Sequence, residues 1–162
     1  MTEESCLEDV KKKYAEFQMK YGLPDFKKLN EDFQIEKVAE TETEVLLKEV
    51  RRFMFDKFSN YMRFLESLLN PVNASVFTFS VLKTLNADDK KIVEEIYKKL
   101  MRLEVDLMEI DIEYVEEKEA AFIKTSSEIW DEIKIDWIKI VNCIQNNWDN
   151  KVEKKEGKDY FG

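Results

Sequence analysis

Between Asn86 and Lys155 the chain contains neither glycine nor proline, and no other feature restricts its fold as much. Tight turns draw on residues that tolerate left-handed or fixed φ angles. Over all 162 residues Gly occurs three times and Pro twice. A sheet-rich fold of this size needs many such turns, whereas a few long helices need few. The sequence therefore predicts an all-α protein, an antiparallel bundle of about four long helices with one or two short connecting helices. A hydrophobic content of 44% supplies a full core at this length. Residues 1–154 are thus expected to form a single helical-bundle domain, and 155–162 a flexible C-terminal tail.

Apolar periodicity places the helices. Leu7, Val10, Tyr14, Phe17 and Tyr21 recur at three- and four-residue steps, predicting a helix from about Ser5 that Gly22-Leu23-Pro24 stops. Asp25 caps a short helix holding Phe26, Leu29 and Phe33, and the stretch from Phe33 to Glu40 is expected to be a surface connection. A second long helix opens near Thr41 or Thr43 and ends at Asn70, before Pro71, with Leu47, Val50, Met54, Phe58, Tyr61, Leu65 and Leu68 inward. A short apolar segment follows, Val76 to Leu85. Asn86 caps a third long helix whose Ile96, Leu100, Leu103, Leu107, Ile110 and Tyr114 form a heptad seam. Met101, Val105, Met108, Ile112, Val115 and Phe122 add a second stripe, expected to face a second neighbour. Thr125-Ser126-Ser127-Glu128 fits a capping box that starts a fourth helix, unless the chain passes through Thr125 unbroken. That helix carries Trp130, Trp137 and Trp148, which at helical spacing read as core.

Charge narrows the partners. The net charge is −9, and residues 86–124 hold twelve acids against seven bases. A phosphate backbone selects for basic patches, so the balance argues against a nucleic-acid surface, leaving only a local patch at Lys48, Arg51, Arg52 and Arg63. No apolar run is long enough to span a bilayer, and the acidic start Thr2-Glu3-Glu4 is no secretory signal. Cys6 and Cys143 are isolated, as two reduced thiols in a cytoplasmic protein would be.

The absence of His excludes Ser-His-Asp and Cys-His catalysis within the chain, and His-ligated zinc and di-iron sites with them. Three scattered Gly form no phosphate-binding loop. No catalytic residues, metal site or cofactor is predicted. Carboxylates remain: between Glu104 and Glu119 stand eight acids, with Lys118 the only base. Asp106, Glu109, Glu113 and Glu116 share one helical face, which is a solvated one, one that pairs with Lys and Arg of the second long helix, or one that docks a basic partner. Glu104, Asp111 and Glu119 fall at or on the apolar stripes, so they are candidates for buried carboxylates that need a paired cation.

Glu113-x-x-Glu116 followed by Glu128-x-x-Asp131 resembles the paired ExxE and ExxD of all-helical NTP pyrophosphohydrolases, whose four carboxylates hold magnesium. That resemblance implies a carboxylate-based nucleotide hydrolase. Tyr160-Phe161 resembles the paired-aromatic end of sliding-clamp-binding peptides, although Gly157 stands where those carry an aliphatic residue. The strings Tyr21-Gly22-Leu23-Pro24-Asp25-Phe26 and Glu116-Glu117-Lys118-Glu119-Ala120-Ala121-Phe122-Ile123 look like a helical family of unassigned function found in archaeal genomes. That likeness implies a helical, cytosolic protein and no activity. The residues themselves favour a non-enzymatic protein–protein interaction module. Its partner could be a second copy joined along the third or fourth helix, and Asp106, Glu109, Tyr160 and Phe161 are its candidate contacts.

Overall fold

Glycine at position 22 ends the first helix by a specific geometry. In the computed structural model, which describes residues 3–41 and 43–156, Gly22 adopts φ +66 and its N–H donates to the Gln18 carbonyl at 2.9 Å. Left-handed φ is open to Gly without a Cβ clash, so α1 (Glu3–Tyr21) closes there. Asp25 then caps α2 (Phe26–Phe33), accepting from the Lys27 and Lys28 N–H groups at 2.8 and 3.4 Å. The Tyr14 hydroxyl, on a fully buried side chain, donates to the Pro24 carbonyl at 2.7 Å and ties this corner to α1.

The expected surface connection after Phe33 is instead part of the core. Residues Ile35–Glu40 form a 3₁₀ helix with Ile35 and Val38 fully buried. Its apolar residues recur every three positions, the 3₁₀ repeat, and a search at the α-helical period passes over them. Asn30 fixes the entry, accepting from the Glu36 N–H at 2.9 Å while its amide donates to the Glu36 carboxylate at 2.8 Å.

Three long helices follow. They are α3 (Leu46–Leu69), α5 (Ala87–Ile110) and α6 (Glu116–Glu156), with α4 (Val76–Leu82) and a 3₁₀ turn at Pro71–Asn73 between the first two. The described residues contain no strand. Thr43 Oγ1 accepts from the Val45 N–H at 3.1 Å ahead of α3. Asn86 opens α5 as its sequence predicts: Oδ1 accepts from the Asp88 and Asp89 N–H groups, and the Asn86 N–H donates to Asp89 Oδ2 at 2.9 Å.

The third long helix stops at Ile110 rather than near Lys124, and the chain turns through 111–115 without Gly or Pro. Electrostatics favour the restart at Glu116 and oppose the stop, which leaves Glu109 and Asp111 at the carbonyl end of α5. The carbonyl end of a helix repels carboxylates and the N–H end attracts them. A helix continued through this acid-rich run gains nothing, whereas restarting places Glu116, Glu117 and Glu119 in the first turn of α6. Thr125-Ser126-Ser127 consequently lies inside α6, and both serines are buried instead of capping. Residues 155–156 belong to the same helix.

The chain divides into two compact units. The first comprises the described residues up to Tyr61 together with Leu100–Trp130. Its core includes Tyr14, Leu29, Phe33, Ile35, Leu47, Val50, Met54, Phe58, Leu103 and Ile123. Trp130 packs there at 5.7 Å from the Phe33 ring, stacked on Tyr61. The second comprises Met62–Lys99 and the described residues from Asp131 onward. It buries Met62, Leu65, Leu68, Val81, Val93, Ile96, Ile133 and Ile140, and its half-exposed Phe77 joins Phe64 to Trp148. No helix of the described residues is long and apolar enough to cross a membrane.

Candidate functional site

The first unit gathers two of the acids singled out in the sequence, Asp111 and Glu119, around one cation. Arg51, from α3, is 5% exposed. Its Nε donates to Glu119 Oε2 at 2.5 Å and its Nη2 to Asp111 Oδ1 at 2.9 Å. On one unbroken helix Asp111 and Glu119 would lie roughly 12 Å apart along the axis, too far to share a guanidinium. The turn at 111–115 brings both within reach of Arg51.

The three carboxylates expected to be buried differ sharply. Glu119 is 1% exposed, Asp111 keeps 55% of its side chain in water, and Glu104 stands half-buried outside the cluster. Asp111 is lifted to the rim because it lies in the turn, past the last buried residue of α5. Burial pushes the Glu119 carboxyl above its ordinary range, against the pull of Arg51. This cluster is a satisfied ion triad. It also removes Arg51 from the suggested basic patch; Arg52 bridges Glu49 at 2.9 Å, while Lys48 and Arg63 are exposed.

Glu116 is likewise engaged. It accepts from Lys20 Nζ at 2.8 Å and from the Tyr21 hydroxyl at 2.6 Å, and these bonds hold its carboxyl below the usual carboxylate range. Glu113 is exposed in the turn, and Glu128 and Asp131 are exposed on α6. Glu116 and Glu128 share one continuous helix twelve residues apart, a rise of roughly 18 Å, whereas magnesium takes its ligands at about 2 Å. Among the described residues no three carboxylates or thiols converge as a metal ion requires.

The outer side of α5 is a different surface. Its heptad seam behaves as the spacing predicts from Ile96 to Ile110, all buried, with Tyr114 exposed beyond the helix end. The second stripe does not find the neighbour expected for it. Val105 is 56%, Met108 66% and Ile112 84% exposed, with Met101 half-buried at the same angular position. At 100° per residue Met101, Val105 and Met108 point away from the buried seam, and Ile112 follows them in the turn just past the helix end. Only Phe122, displaced onto α6 by the turn, enters the core.

Acids border the strip. Glu104 falls on one helical edge, with Asp111 following in the turn, and Asp106 and Glu109 fall on the other. Asp106 pairs with Arg102 at 3.2 Å and Glu109 with Lys118 at 2.8 Å. The Lys118 bond holds the Glu109 carboxyl below its usual range. A cleft of about 230 Å³ opens on that second edge, lined by Asp106, Glu109, Ile110, Lys118, Phe122 and Thr125 among others. Sequence periodicity found these apolar residues but misjudged what covers them, because the missed turn changes which elements reach that side. Trp130 is core, Trp137 half-buried, and Trp148 41% exposed. Tyr160 and Phe161 lie outside the described residues. No family model matches the chain, nor does any curated protein or solved structure.

Proposed function

We propose that this chain is a non-enzymatic interaction module, four long helices packed as an antiparallel bundle whose α5 offers its outer face to another protein. One observation carries the reading: an apolar strip turned from the core, with Val105 and Met108 exposed on α5, half-buried Met101 one turn before them and exposed Ile112 in the turn just beyond the helix. Single exposed apolar residues are ordinary, but a contiguous strip rimmed by charge marks contact surfaces. The carboxylates weigh the same way, since Asp111 and Glu119, drawn together at Arg51, are both taken up by its guanidinium.

The test is positional. A photo-crosslinking residue at Met108 is expected to give an adduct of one defined mass with a protein partner. The same residue at Lys91, exposed near the start of α5, serves as control and is expected to give none. Equal adducts at both positions, or none at Met108, would remove the basis of the reading.

A further inference from the structure

The geometry points to a basic amphipathic helix as the partner of the α5 outer face, an inference that rests on the interaction reading above and names its partner class. Met101, Val105 and Met108, four and three positions apart on α5, with Ile112 in the turn beyond, make a strip along which a second helix can lay its own i, i+3, i+4 anchors. Met108, unbranched and adaptable, suits the middle of such a contact.

Charge selects among possible occupants. Between Glu104 and Glu119 stand eight carboxylates and one base. Ion pairs bring three further cations to this stretch, Lys20, Arg51 and Arg102. Glu104, Glu113 and Glu117 take part in no ion pair among the described residues. A second copy of the chain would bring the same acids against the same strip, and facing like charges oppose that contact. A helix with Lys or Arg flanking an apolar seam meets both features at once. The Glu109–Lys118 pair is exposed and costs little to exchange for a partner's cation.

Calorimetric titration of the full chain with a synthetic leucine–lysine amphipathic peptide tests this, with the leucine–glutamate peptide as control. The lysine peptide is expected to bind and the glutamate peptide not to. The deciding variant is V105E/M108E, which makes the surface more negative while destroying the apolar strip. Docking predicts a loss of at least about tenfold in affinity. Bare charge attraction predicts tighter binding, and that result overturns the proposal, as does equal binding of both peptides. Circular dichroism checks that the variant keeps its helices; if it does not, V105S/M108S replaces it, with the same loss expected. Should neither peptide bind while sedimentation finds a dimer that V105E/M108E dissolves, the occupant is a second copy. The basic-partner inference then falls and the interaction reading stands. If there is no peptide binding and no dimer, both fall.

Discussion

Arg51 has 5% of its surface in water, so what faces its guanidinium matters to the stability of the fold. Breaking a buried pair leaves an uncompensated ion, whereas replacing both members by apolar groups is close to neutral. Glu119→Leu alone is therefore expected to cost about 3–5 kcal/mol in urea unfolding, and adding Arg51→Met to recover most of it. Asp111→Asn, at a position 55% exposed, should cost no more than about 1 kcal/mol. Equal losses at the two acids would show that the triad is not organised around Glu119. The pH dependence has two signs. Glu116 is held below its ordinary value of 4.5 by Lys20 and Tyr21, so its contribution is present above pH 4.5 and lost as pH falls through the depressed value. Glu119, raised above 4.5 by burial, acts oppositely: its contribution is present at low pH and weakens as pH rises through the raised value. The urea midpoint of Glu116→Gln should therefore fall less than that of the parent protein as pH drops below 4.5. The apolar stripes flagged Glu119 as an acid needing a cation. They carried no means of finding Arg51, which lies 68 positions earlier and comes near only when α3 and α6 pack together.

At the scale of elements, the long helices were legible and the joint between two of them was not. Repeats of three and four residues located α1, α3 and the buried seam of α5, because burial on one face leaves that signature. The turn at 111–115 leaves none: it contains no Gly or Pro, and acids stand on both sides of it. The serines at 126 and 127 misled for a related reason. Ser is favoured at caps because its hydroxyl competes for backbone groups, but here both serines fit a close-packed position inside α6. Ser126 Oγ is buried and without a hydrogen-bond partner among the described residues. Ser126→Ala removes an unsatisfied hydroxyl and raises helix propensity, so it is expected to stabilise the protein by about 1 kcal/mol. A loss of stability on thermal melting would mean that the hydroxyl has a partner after all.

At the scale of the whole molecule, a net charge of −9 keeps copies apart at neutral pH. With a sequence isoelectric point near 4.8, light scattering should rise as pH approaches that value. V105E/M108E should lessen the rise, because the strip on α5 is the surface released from repulsion; an unchanged profile would place the sticking surface elsewhere. The two units also differ in their tryptophans. Trp130 lies in the first, Trp137 and Trp148 in the second. Trp130 is dry: it stacks on Tyr61 at 3° between ring planes, holds the Lys57 ammonium 4.3 Å from its centroid, and its indole N–H finds no acceptor among the described residues. Trp148 is 41% exposed to water. Indole fluorescence shifts to longer wavelengths as its surroundings become more polar, so the blue edge of the emission belongs to Trp130 and the red edge to Trp148. The chain thus carries a two-colour gauge, and loosening of either unit can be followed by light alone without attaching a label.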